Sequence, residues 1–103
     1  MEGLELICFQ LITAAGTAKS NYIGAIQKAK EGEYEEAQKL ILEGDEMMKK
    51  GHMPHTDLIQ KEAAGEGMPM TLILTHAEDQ MAAAETFKIM AEEIIELYKK
   101  ING

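Results

Sequence analysis

Apolar residues recur at steps of three and four along three long segments, and two short stretches rich in Gly or Pro separate them. In the first segment Leu4, Cys8, Leu11, Ala15, Ala18, Tyr22, Ala25 and Ala29 form one narrow stripe, rich in Ala, that lets a neighbouring helix approach closely. Glu31-Gly32-Glu33 puts a Gly at the helix end, where a left-handed residue brings no Cβ clash, so a tight helix hairpin follows. The second segment starts near Tyr34 and sets Tyr34, Ala37, Ile41, Gly44, Met48, His55 and Leu58 on one side, widened by Leu40, Met47 and Ile59. Pro54 removes one i→i−4 bond and crowds the turn before it, and the pattern predicts a single helix kinked near Lys50. The run 63–69, with Gly65, Gly67 and Pro69, ends it.

The third segment, from about 70 to 101, has the strongest pattern. Ile73, His76, Gln80, Ala83, Phe87, Met90, Ile94, Leu97 and Ile101 alternate without a break, which is coiled-coil or bundle spacing. Beside this seam runs a second track of Leu72, Thr75, Asp79, Ala82, Thr86 and Ile89. Two tracks on one helix predict packing against the same chain on one and against a partner chain on the other, hence a helical homo-oligomer. Thr71-Leu72-Ile73-Leu74 is a short β-like run that merges into the helical pattern, and the capping-box match of Thr75 and Glu78 is accidental because the periodicity runs through it. The expected fold is all-α: an antiparallel, up-down-up three-helix bundle forming a single domain over residues 1–103.

At 103 residues the chain can bury one core without disulfides or structural zinc, but with modest stability unless chains associate. Its single Cys forms no internal disulfide and belongs to no zinc-finger spacing, and its place on the apolar stripe predicts a buried structural thiol. The net charge of −8 repels phosphate backbones, and the few aromatic residues offer little for bases to stack on, so nucleic acid is excluded as a partner. The amino-terminal apolar stretch opens with acids and is interrupted by Glu5, Gln10 and Thr13, unlike a signal peptide or a membrane span. P-loop, GxGxxG and GxSxG motifs are missing from the sequence, and Glu66 would repel a phosphate from the Gly65-Glu66-Gly67 loop.

His76 and Asp79 stand at i, i+3 and share a helix face. A neutral imidazole there can serve as nucleophile, base or metal ligand, with the carboxylate orienting it or holding a cation. The same spacing suits a polar seam residue satisfied by Gln80, with Asp79 solvated. His52 and His55 make another i, i+3 pair near Pro54, and with His76 and Asp79 they form a chemically sensible zinc set. A helical metal-binding or adaptor bundle using these four residues is therefore the alternative reading.

The succession Ala15-Gly16-Thr17-Ala18-Lys19-Ser20, Gly32-Glu33-Tyr34-Glu35-Glu36-Ala37, His52 and Thr56, Glu62-Ala63-Ala64-Gly65-Glu66, Thr75-His76-Ala77-Glu78-Asp79-Gln80 and Ile95-Glu96-Leu97-Tyr98-Lys99 resembles the enzyme IIA component of the lactose/cellobiose class of the bacterial sugar phosphotransferase system. The resemblance implies a cytoplasmic three-helix bundle that assembles as a homotrimer around a coiled-coil-like helical core. It implies a phosphorelay in which phospho-HPr is the donor, a Cys of the cognate IIB is the acceptor, and a β-linked disaccharide is phosphorylated at the membrane IIC permease. By position, His76 is the phosphoryl acceptor, as a tele-phosphohistidine, and Asp79 from three chains holds one Mg2+ at the trimer axis. His52 and Gln80 are possible active-site neighbours on the same basis.

The chain departs from the pattern it resembles at four places. The usual motif His-x-Gln-Asp-His reads His76-Ala77-Glu78-Asp79-Gln80, a usual Arg is Lys19, and a usual Gln is His55. Gln80 can hydrogen-bond phosphate but carries no charge, and Lys19 lacks the bidentate fork of Arg.

Overall fold

The structure, a computed structural model, describes residues 3–102 as three helices joined by two short connections. Helix α1 spans Gly3–Lys30, α2 Tyr34–Ala63 and α3 Leu72–Asn102. At 1.5 Å per residue each helix is about 42–47 Å long, and the bundle they form is a rod of 54 × 24 × 20 Å. A rod this thin buries one strip per helix. The three-helix expectation holds, with no strand among the described residues.

Both interhelical turns close on glycine. At the end of α1, Glu33 N–H donates to the Lys28 carbonyl at 2.9 Å and Gly32 N–H to the Ala29 carbonyl at 3.0 Å. Gly32 has φ +78°, the left-handed geometry this pairing of carbonyls requires. The same arrangement ends α2, where Glu66 N–H reaches the Lys61 carbonyl and Gly65 takes φ +83°. Helix α2 runs unbroken through Pro54, whose missing N–H leaves the Lys50 carbonyl without its usual partner. Helix α3 starts at Leu72, later than the pattern suggested, because Thr71 caps it. The Thr71 hydroxyl accepts the Leu74 N–H at 3.2 Å, and its carbonyl accepts the Thr75 N–H at 3.0 Å.

Helix α1 is the centre of the packing, touching α2 and α3 along its length, while α2 and α3 meet only sparingly. Its buried residues are Cys8, Leu11, Ala14, Ala15, Ala18, Tyr22, Ala25 and Ala29, the predicted stripe with Ala14 added and Leu4 only half-buried. On α2 the buried residues Ala37, Ile41, Gly44 and Met48 follow the expected side, joined by Gly51. Gly44 lies flat against Tyr22: a Cβ there would stand 2.5 Å from the ring. At Gly51 a Cβ would meet Met81 Sδ at 3.0 Å and Ala14 Cβ at 3.2 Å.

Tyr22 joins all three helices. Its ring is fully buried, and its hydroxyl donates to Asp45 of α2 at 2.8 Å. Lys88 of α3 reaches the same carboxylate oxygen at 3.2 Å. Burial, together with this bond to a carboxylate, holds the phenol well above its ordinary pKa, so Tyr22 remains a donor.

The register of α3 departs from expectation. Its buried residues are Leu74, Ala77, Met81, Ala84, Ala91 and Ile95, which belong to neither of the two predicted tracks. Most of both tracks lies outside: Leu72, Ile89, Met90, Leu97 and Ile101 are more than half exposed, and Ile73, Phe87 and Ile94 are half-buried. The physical reason is size. Against an Ala-lined α1 the closest approach is made by Ala77, Ala84 and Ala91, so the larger side chains are left facing outward.

The Gly44 contact yields a direct expectation. Gly44→Ala should destabilise the fold by about 1–3 kcal/mol, because the methyl group must displace a ring that Asp45 holds in place. Denaturant unfolding at matched chain concentration measures it; a variant as stable as the parent would show that the helices can part there at no cost.

Candidate functional site

The first turns of α3, fixed at their start by Thr71, carry His76, Glu78, Asp79 and Gln80. Between them Ala77 is fully buried and anchors the turn on the core. Steps of three and four bring His76, Asp79 and Gln80 to one side of the helix. His76 and Asp79 are exposed and Gln80 is half-buried. Around Asp79, one turn away in either direction, stand Thr75, His76, Ala82 and Ala83, so no Lys or Arg neutralises it along its own helix. This carboxylate lies on the outward apolar face, close in phase to Leu72, Thr86, Met90 and Leu97.

The other two histidines lie elsewhere. His55 Nε2 sits 2.9 and 2.8 Å from the two carboxylate oxygens of Glu78, and His52 Nε2 lies 3.5 Å from Glu85. Residue 85 is nine positions beyond 76, two and a half turns, so Glu85 projects from the opposite edge of α3; Glu78 projects about 200° away. Within one chain His52 therefore faces away from His76 and does not neighbour it. The four-residue zinc set is not assembled either, for the same reason: His52 and His55 are engaged on the α2 edge while His76 and Asp79 point outward. Among the described residues no three His, Cys, Asp or Glu side chains gather as a metal site would require.

His52 and Glu85 line an open cleft of about 480 Å³ between α2 and α3, shared with Asp45, Lys49 and Lys88. Lys19 extends over the outer face of α3, its Nζ 5.8 Å from the centre of the Phe87 ring. Phe87 is eleven residues from His76, about 16 Å along the helix, so Lys19 is not beside the imidazole. Cys8 is fully buried, and burial first, then the nearby charges of Glu5 and Glu78, push its thiol pKa up. A thiol so placed stays protonated and does no nucleophilic chemistry.

The His55–Glu78 pair was not foreseen, although each partner stood out as a departure from the pattern the chain resembles. A carboxylate only accepts hydrogen bonds, so the proton on His55 must be on Nε2.

Residues 6–99 match the family described as the lactose/cellobiose-specific IIA subunit of the PTS system. The chain belongs to this family. It is 47% identical over 101 residues to the lichenan-specific phosphotransferase enzyme IIA component of Bacillus subtilis, an alignment covering 98% of this chain and 92% of that one. Its fold superposes on the PTS cellobiose-specific enzyme IIA from Bacillus anthracis with a TM-score of 0.96 at 40% identity, covering 99% and 94% of the two chains. It also matches a chain of the IIA(Chitobiose)–HPr complex of the Escherichia coli phosphotransferase system, with a TM-score of 0.85 at 27% identity and full coverage of both. This IIA chain is thus a relay component of the phosphotransferase system. Among its described residues no helix is long and apolar enough to cross a membrane.

The contact at His55 can be checked directly. Long-range 15N–1H spectra at neutral pH should show Nε2 of His55 protonated; an Nε2 signal of the unprotonated type would reject the bond to Glu78.

Proposed function

We propose that His76 is the residue of this IIA chain that receives the phosphoryl group from phospho-HPr and passes it to a Cys of the cognate IIB, for uptake of a β-linked disaccharide through the IIC permease. The observation that carries the reading is an exposed imidazole on the first turns of α3 in a chain of this family. Of the other titratable groups nearby, His55 and Glu78 are paired with each other. A neutral imidazole nitrogen attacks phosphorus: its lone pair forms the P–N bond while the bond from phosphorus to the donor breaks and its electrons leave with the donor. The phosphoramidate so formed keeps a high transfer potential, which suits onward passage. Gln80, on the same face one turn on, can donate an amide hydrogen bond to a phosphoryl oxygen.

The outward apolar face of α3 supports a homotrimer built on that helix. Leu72, Met90, Leu97 and Ile101 are between 53% and 87% exposed in the single chain, a row longer than a soluble monomer ordinarily leaves in water. With three chains around an axis, three Asp79 carboxylates converge on this face. A hard divalent cation such as Mg2+ suits an all-oxygen set of that kind and would neutralise the three charges. Asp79 has no competing cation on its own helix, which fits this role. The lichenan and cellobiose relatives favour a β-linked glucose disaccharide as the sugar, a choice that lies with the permease rather than with this chain.

Incubation with phosphoenolpyruvate, enzyme I and HPr should add one acid-labile phosphoryl group per chain, read by intact mass. His76→Gln should keep the fold and take up none; undiminished uptake would remove His76 from the role. Asp79→Leu should leave a trimer by sedimentation but reduce bound metal from about one per three chains to none, because an apolar trio replaces three like charges. Metal content unchanged by that substitution would reject the assignment.

A further inference from the structure

We propose that His55 is a positioning residue for His76: by holding Glu78 against α2, it keeps a carboxylate off the accepting face and fixes the rotational setting of the first turns of α3. This rests on the reading of His76 as phosphoryl acceptor. Three observations lead to it. First, α2 and α3 meet sparingly, so the setting of one on the other depends on the few ties that cross. The tie nearest to His76 is His55–Glu78, with Nε2 between both oxygens at 2.8 and 2.9 Å and the histidine side chain only 19% exposed. Second, Glu78 belongs to the same turn as His76, Asp79 and Gln80, so a rotation that turned Glu78 outward would carry all of them. Third, the group to be accepted is anionic, and a freed carboxylate within one turn of the imidazole would oppose it.

His55 and Glu78 are both departures from the pattern the chain resembles, and the structure puts the two departures in contact. A histidine donating to a carboxylate replaces an amide facing an amide. Either change alone leaves a mismatched pair, and both together satisfy it. The two positions should therefore behave as a unit.

The test is a double-mutant cycle on the trimer or whatever assembly the full chain forms, with phospho-HPr as donor. His55→Gln should lower the maximal rate of phosphoryl uptake about tenfold while KM for phospho-HPr stays within about twofold, since the docking surface is untouched. His55→Gln combined with Glu78→Gln should recover at least half of the parental rate. The imidazole NMR signals of His76 should shift in the single variant and return in the double one. A His55→Gln chain with parental kinetics, or a double variant no faster than the single, would overturn the proposal. So would a loss that follows melting temperature alone, with the His76 signals unmoved. Should the parent chain take up no phosphoryl group, the reading of His76 fails instead, and the shift and return of the His76 signals then decide the positioning role by themselves.

Discussion

Everything in this bundle follows from how closely α1 is approached by its two neighbours. An Ala stripe on α1 meets Gly44 and Gly51 on one flank and Ala77, Ala84 and Ala91 on the other, and such contacts bring backbones nearer than Leu against Leu would. Tyr22 is the one large side chain that enters this thin interface. It fits because Gly44 offers no Cβ and because Asp45 accepts its hydroxyl. With α1 in the middle, α2 and α3 are held mainly to it. The cleft between them, and the ion pairs that cross that cleft, are consequences of this arrangement.

The same constraint decides what α3 can do. A helix that presents its small residues to its own chain has its large apolar ones to spare, and on α3 they form a continuous outward row with His76, Asp79 and Gln80 near its start. Polar side chains able to perform chemistry thus occupy the apolar face that association would cover, while the inner face, which holds the fold, contains no buried polar residue among those described. Fold and chemistry use different sides of one helix, so a substitution at His76 or Asp79 leaves the intrachain core untouched.

Helix number, the stripe of α1 and the glycine turns were legible in the sequence because each depends on local spacing or on one residue's conformational freedom. The inner face of α3 was not. Periodicity weighted by size selects the row with Ile73, Phe87, Ile94 and Leu97, and Ala residues, being weakly apolar, do not reveal that close packing prefers them. His76 and Asp79 were legible as a pair because i, i+3 spacing on a helix is a local fact. The partners of His52 and His55 were not, because they depend on the rotation of α2 against α3, which no single-helix pattern contains. Thr71 was obscured by the β-branched run in which it sits, although a Thr before a long helical pattern is a capping signal in its own right.

The buried phenol of Tyr22 makes the fold vulnerable on one side of the pH scale. In the unfolded chain it ionises at about pH 10, whereas in the bundle burial and the Asp45 carboxylate keep it protonated well beyond that. A raised folded-state value means that the contribution is complete below the unfolded pKa and is drained as pH climbs towards the folded one, by at most about 1.4 kcal/mol per pH unit. The tie that joins three helices is therefore indifferent to acid and sensitive to base: alkaline unfolding should begin with ionisation at the centre of the rod rather than with fraying at its ends.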